Sequence, residues 1–196
     1  MLRSTLEKLQ VMDELLICDE KVSTKYELGG VLKYFENKRP ILFNKISGHN
    51  MKAIGGLFGN RATIYKLLGI NHMERFEYFM NGIVNPKPYV IVERGPVKEN
   101  IIKRNIDLPR IFPIPTFQEK DGSSFITAGI LVIKDPNTGN HYTSIRRFQV
   151  NGGNELNVLI SSPKLINDLL NMERENKSLE VAIVLGYDEY TLLASQ

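Results

Sequence analysis

The chain has 196 residues, with 25 Lys+Arg against 22 Asp+Glu, a formal net charge of +3, 42% hydrophobic and 24% charged residues. That composition excludes intrinsic disorder, and so small a positive excess gives no ground for a nucleic-acid partner or a membrane-surface partner. No apolar run approaches the roughly 20 residues of a bilayer span, the N-terminus MLRSTLEKLQ lacks the apolar stretch of a signal peptide, and the lone Cys18 excludes both an intrachain disulfide and a thiolate cluster. The expectation is a cytoplasmic globular protein of one or two domains.

Ser4 and Glu7 have capping-box spacing, and Leu6, Leu9 and Met12 repeat at helical period, which predicts a helix over 5–13. Leu15 to Ile17 predict a strand. Thr24 and Glu27 repeat the capping spacing ahead of the stripe Leu28, Val31, Leu32 and Phe35, a second helix whose Gly29-Gly30 pair calls for a close neighbour. Ile41 to Phe43 and Met51 to Ile54 predict strands. Residues 55–60 (GGLFGN) lack both the Lys-Ser/Thr of a P-loop and G-x-G-x-x-G spacing, so they predict a tight turn, with Asn60 capping a helix that ends at Gly69. Another helix is predicted over 73–81. Six of the nine prolines (86, 88, 96, 109, 113 and 115) then fall in one stretch, predicting an extended connector and a domain boundary. Beyond it, 125–134 and 142–150 flank a turn cluster as a long hairpin; a strand at 156–160, a helix at 163–174 and a strand at 179–185 follow. The reading is α+β: an N-terminal α/β domain with its Pro-rich connector over 1–108, then a mostly antiparallel unit over 109–196.

Little chemistry announces itself. His49, His72 and His141 are isolated, with no H-E-x-x-H arrangement, and each is assigned a structural duty, His49 in a solvated turn. No serine sits in G-x-S-x-G, and Cys18 precedes Asp19 and Glu20, which would not lower a thiol pKa. The unusual feature is Ser144-Ile145-Arg146-Arg147-Phe148-Gln149 inside a strand. Alternation sends Ser144, Arg146 and Phe148 to one face and Ile145, Arg147 and Gln149 to the other. One arginine of the pair must therefore meet an anion or a buried partner; a salt bridge within an exposed sheet and a clamp for a carboxylate or phosphate fit the spacing equally.

Taken together, Leu2-Arg3-Ser4, Leu6-Glu7-Lys8-Leu9, Gly56-Leu57-Phe58-Gly59, Asp107-Leu108-Pro109, Pro113-Ile114-Pro115-Thr116, Phe125-Ile126-Thr127-Ala128-Gly129, Lys134-Asp135-Pro136, Ser144-Ile145 with Arg147 and Gln149, and Val181-Ala182-Ile183 with Gly186 form a colinear pattern. It resembles the UbiD family of prenylated-FMN-dependent decarboxylases over essentially the whole chain. The S-I-x-R-x-Q and Asp-Leu-Pro spacing is similar to archaeal members acting on trans-anhydromevalonate 5-phosphate. The resemblance implies that 109–196 is the first part of a flavin-reductase-like split β-barrel holding prenylated FMN. It implies reversible non-oxidative decarboxylation of a small α,β-unsaturated or aromatic acid, the flavin acting as electron sink. A flavin prenyltransferase would supply the cofactor. Arg147 matches the motif arginine that meets cofactor and substrate, Ser144 and Ile145 match positions lining the cofactor, and Ser195 falls near a cofactor and monovalent-ion segment.

The resemblance also implies a divalent metal such as manganese, held by Asn, His and Glu. Here the Asn position is Tyr142, and the His position is Lys164 or Leu165. The Glu and the proton-transferring carboxylates would lie beyond Gln196. No metal is therefore expected, and the chain alone is not expected to be active. The implied arrangement is a second subunit carrying the C-terminal half, or a homo-oligomer; the alternative is a non-catalytic, flavin-holding relative.

Overall fold

The computed structural model describes residues 1–36 and 38–196 and is α+β, as the sequence predicts. Helix α1 (Leu2–Val11) starts earlier than Ser4–Glu7 spacing predicts, because Ser4 lies within its first turn. The Ser4 hydroxyl donates to the Met1 carbonyl at 2.7 Å, and the N-terminal ammonium donates to Ser4 Oγ. Strand β1 (Leu16–Val22) runs parallel to β2 (Ile41–Ile46), which pairs antiparallel with β3 (Ala53–Gly55). Between β1 and β2 lies α2 (Glu27–Tyr34), and Val22, Leu28, Ile41, Phe43 and Ile46 form the buried core there. The residue that pairs with Glu27 at the start of α2 is Ser23, whose backbone N–H donates to the Glu27 carboxylate at 2.7 Å. Thr24 is instead engaged by the segment ahead of the second sheet: its carbonyl accepts from Thr116 N–H at 3.0 Å, and Thr116 O accepts from Tyr26 N–H at 2.9 Å. Only half of the glycine pair has the close neighbour that the sequence calls for. A Cβ on Gly29 would stand 3.0 Å from the Phe117 ring and 3.3 Å from its Cα, whereas Gly30 meets nothing.

Helix α3 (Arg61–Leu68) has the predicted ends: Asn60 accepts from Ala62 N–H at 2.9 Å, and Gly69 closes it at φ 69°. Helix α4 (Arg75–Val84) follows, ending three residues later than predicted. The proline-rich stretch is irregular apart from a 3₁₀ turn at Pro96–Lys98 and one helical turn, α5 (Leu108–Ile111), capped by Asp107 with Pro109 near its start.

The second sheet is antiparallel throughout, in the order β6-β5-β4-β7, formed by β4 (Phe125–Lys134), β5 (His141–Val150), β6 (Leu156–Val158) and β7 (Val181–Val184). The β4–β5 hairpin is the predicted one. Helix α6 (Pro163–Arg174) contributes Leu165 to the core of Leu131, Ile133 and Phe148 on one face of this sheet. A bulge between Ile126 and Gly129 lets the Phe148 ring approach, since a Cβ on Gly129 would stand 2.7 Å from it.

A last helix, α7 (Glu189–Ala194), is absent from the sequence reading. Asp188 caps it by accepting from Thr191 N–H at 2.8 Å and also meets the N-terminal ammonium at 2.5 Å. Glu189 is 1% exposed and accepts from Thr5 Oγ1 at 2.6 Å and Lys8 Nζ at 2.8 Å, so α7 is tied to α1. Burial pushes the Glu189 carboxyl up, but the Lys8 and Thr5 hydrogen bonds outweigh it and hold the group below its ordinary value of 4.5. Because the folded value is depressed, the stability that this pair contributes is present above the unfolded value and is lost as pH falls through the folded one. Glu189→Gln is expected to flatten the acid limb of a urea-stability profile below about pH 5. An unchanged slope would refute the assignment.

Candidate functional site: a groove beneath Arg147

A groove of about 1480 Å³ runs between the N-terminal elements and the second sheet. Leu32 of α2, Phe58 of the 55–60 turn, Phe112, Phe117, and Ile145 and Arg147 of β5 are among the side chains that line it. Small-molecule pockets are typically ~300–1,000 Å³, so this volume is that of a wide cleft. The turn over 55–60 contributes wall, and its close fit comes from Gly55, where a Cβ would meet Leu32 Cδ2.

The alternation of β5 separates the paired arginines as predicted. Arg146 lies on the α6 side, where its Nε donates to Ser144 Oγ at 3.1 Å and an Nη to Ser161 Oγ at 3.4 Å. Arg147 is exposed on the groove side, with no hydrogen bond or ion pair to any described residue. Neither arginine forms a salt bridge among the described residues, so that alternative for the pair is not realised. The fold thus brings Ile145 and Arg147 together at the groove and leaves Ser144 on the opposite face with Arg146. Ser195 is 5% exposed at the end of α7, where its hydroxyl donates to the Leu192 carbonyl at 2.6 Å.

A second cluster occupies the α6 side of the hairpin. Lys164 Nζ donates to Asp135 Oδ2 at 2.7 Å and Asp168 Oδ2 at 3.0 Å, and lies 4.9 Å from the centre of the Tyr142 ring. Tyr142 Oη donates to the same Asp168 oxygen at 2.8 Å. The second Asp135 oxygen, Oδ1, accepts from the backbone N–H groups of Asn137 and Thr138 in the hairpin turn. Both carboxylates are buried, while Lys164 is half exposed. The Lys164 ammonium, then the Asn137 N–H, holds the Asp135 carboxyl well below the usual range; Asp135 and Asp168 in turn raise Lys164. Burial first, then Asp168, pushes the Tyr142 phenol up to about 12. Leu165, the other residue at this position of the helix, is 3% exposed in the apolar core.

His49 closes the turn after β2, its backbone N–H donating to the Ile46 carbonyl at 3.1 Å; the residue is partly exposed, although its Nδ1 is buried without a partner among the described residues. The groove draws more than half its wall from the first 60 residues and from Phe112 to Phe117, which spacing along β5 does not reveal. Asp135 and Asp168 were missed as well. The signal for Asp168 is its i,i+4 spacing from Lys164 on a helix, whereas Asp135 reaches Lys164 from the hairpin turn and has no such local signal.

The sequence profile of the 3-octaprenyl-4-hydroxybenzoate carboxy-lyase N-terminal domain matches residues 6–82, and that of the Rift-related domain of the same carboxy-lyase matches residues 88–196. The chain belongs to the UbiD family of carboxy-lyases. Among its relatives, an anhydromevalonate phosphate decarboxylase of Methanothermobacter thermautotrophicus is 31% identical across 99% of this chain and 44% of its own length. The Methanosarcina mazei protein of the same description is 30% identical over 98% of the chain and 44% of its own length. Among solved structures, an evolved dimeric form of the UbiD-class enzyme HmfF from Pelotomaculum thermopropionicum, in complex with prFMN, superposes with a TM-score of 0.93. Its identity is 32%, and the match covers 99% of this chain and 46% of that one. The chain therefore spans less than half the length of the relatives it matches. Among the described residues no helix is long and apolar enough to cross a membrane.

The groove suits a flat, largely apolar and anionic ligand, because its walls are mostly apolar and Arg147 offers a guanidinium without a partner among the described residues. The positions implied for a metal do not suit a divalent ion. Tyr142 is a phenol that donates to Asp168, Lys164 is an ammonium, and no group of three or more His, Cys, Asp or Glu is gathered among the described residues.

Proposed function

We propose that this chain is the flavin-holding portion of a prenylated-FMN-dependent decarboxylase acting on a small unsaturated carboxylic acid, with trans-anhydromevalonate 5-phosphate the leading candidate. The observation that carries the reading is the Arg147 guanidinium, without a partner among the described residues, in a mostly apolar groove. Prenylated FMN, when bound, supplies the electron sink for loss of carbon dioxide. Arg147 and Ile145 would hold that group, the arginine by charge-assisted hydrogen bonds and the isoleucine by apolar contact. With that group bound, Leu32, Phe112 and Phe117 would keep water from the same space, which would strengthen what the guanidinium offers. The second sheet is read as the first part of a split barrel, with Ser144 and Ser195 as supports of the cofactor region and the change of domain after residue 108. Two further observations favour a second polypeptide: the groove is wider than one small ligand fills, and Tyr89, Val90, Ile91 and Val92 are 63–85% exposed in succession. A partner subunit or second copy would cover that surface and add the proton-transferring carboxylates.

The second reading, a non-catalytic flavin holder, is favoured by one observation, the Lys164 cluster in place of metal ligands. Reconstitution decides between them. The chain is co-expressed with a flavin prenyltransferase and with a polypeptide supplying the C-terminal part of the Methanothermobacter relative. Loss of carbon dioxide from trans-anhydromevalonate 5-phosphate is the expected result. A flavin-loaded complex that decarboxylates neither this acid nor an aromatic acid supports the holder.

A further inference from the structure

The cluster on the α6 side of the hairpin is built from three separate elements. Asp135 comes from the turn after β4, Tyr142 from β5, and Lys164 and Asp168 from the first turns of α6. Two buried carboxylates close enough to share one ammonium repel each other and attract any cation that reaches them. In this chain the cation is supplied covalently. Lys164 Nζ stands 2.7 and 3.0 Å from the two carboxylates and 4.9 Å from the centre of the Tyr142 ring, and Tyr142 Oη adds a hydrogen bond to Asp168. Each of the three carboxylate oxygens that face this cluster or the turn is already accepting a hydrogen bond. An incoming divalent ion would have to displace the ammonium and leave it unpaired beside the metal's charge, which is unfavourable on both counts.

We propose that Lys164 is a built-in cation that takes the place of a divalent metal in this chain, so that the corner where hairpin and helix meet is a metal-independent clamp. The ammonium and the ion are mutually exclusive occupants of one carboxylate pair. Removing the ammonium without changing the carboxylates converts the clamp into a cation site. The inference does not depend on flavin binding or on catalysis and is tested without either.

The experiment is a Mn²⁺ titration of the purified full chain, free of flavin, followed by the loss of the free-ion EPR signal. Three proteins are compared: the unmodified chain, Lys164→Gln and Lys164→His. Either substitution leaves two buried carboxylates without their ammonium, so a thermal melt of each variant verifies that it is folded at the titration temperature. The unmodified chain is expected to bind no Mn²⁺ up to about 1 mM. Lys164→Gln is expected to gain at least about tenfold in affinity over that limit, and Lys164→His more, because imidazole is itself a ligand. Should Lys164→Gln fail to fold, Lys164→His carries the comparison alone. Saturable binding by the unmodified chain overturns the proposal, and so does a folded variant that binds no more Mn²⁺ than the unmodified chain.

Discussion

Arg147→Ala is expected to lower kcat/KM for decarboxylation by about a hundredfold or more in the reconstituted two-part enzyme, with an almost unchanged melting temperature. The two halves of that expectation come from the same geometry. The guanidinium makes no hydrogen bond or ion pair with a described residue, so the fold does not lean on it, and an exposed substitution of this kind costs about 0.5 kcal/mol or less. Its donors face a groove with apolar walls, where a charge-assisted hydrogen bond to a carboxylate is worth more than in water. Arg147→Lys separates charge from shape. It keeps the positive charge and loses the planar fork, and it is expected to recover only part of the activity. Wild-type kcat/KM in Arg147→Ala would remove Arg147 from the site.

Phe148→Ala is expected to destabilise the chain by about 3–5 kcal/mol, read from urea unfolding. The ring is 1% exposed, packs with Leu131, Ile133 and Leu165, and fills the space that the Gly129 bulge leaves open. Nothing small can collapse into that space, because β4 and β5 are held in register on either side of it. A loss of this size is a large fraction of the ~5–15 kcal/mol that holds a domain together, so the variant is expected to be partly unfolded at moderate urea. Gly129→Ala probes the same contact from the other strand, placing a Cβ 2.7 Å from the ring. A loss below about 1 kcal/mol for Phe148→Ala would mean that the ring is not the centre of this core.

Local signals are legible in the sequence where one residue type has one physical use. Asn60 and Gly69 bracket α3, and Pro163 opens α6, because an amide side chain, a left-handed backbone and a missing N–H are each suited to a helix end. The β4–β5 hairpin was legible from strand periodicity on both sides of a Asp-Pro-Asn-Thr-Gly-Asn turn. The two arginines of β5 were legible as a divided pair, since adjacent strand residues cannot share a face. Helix α7 was not legible. Its six residues carry too little amphipathic pattern, and it is held by Glu189 reaching Thr5 and Lys8 at the other end of the chain. The opposite wall of the groove was hidden for the same reason. Leu32 reads as part of a helix stripe, Phe58 as part of a turn, and Phe117 carries no signal of its own; Gly29 and Gly55 let these segments pack closely. Capping boxes misled twice by proximity: Ser4 lies within its helix, and Ser23 displaced Thr24 because Thr24 is engaged by Thr116. The Lys164 cluster shows how two positions that depart from a family pattern can depart together, Tyr142 and Lys164 meeting over Asp168.

The central claim is that the groove beneath Arg147 holds a flavin, and the most direct measurement is a titration of the purified chain with FMN, followed by quenching of flavin fluorescence. A saturable one-to-one curve is predicted, shifted at least about tenfold to weaker binding in Arg147→Ala. No saturation up to about 1 mM FMN, or identical curves for the two proteins, would contradict it.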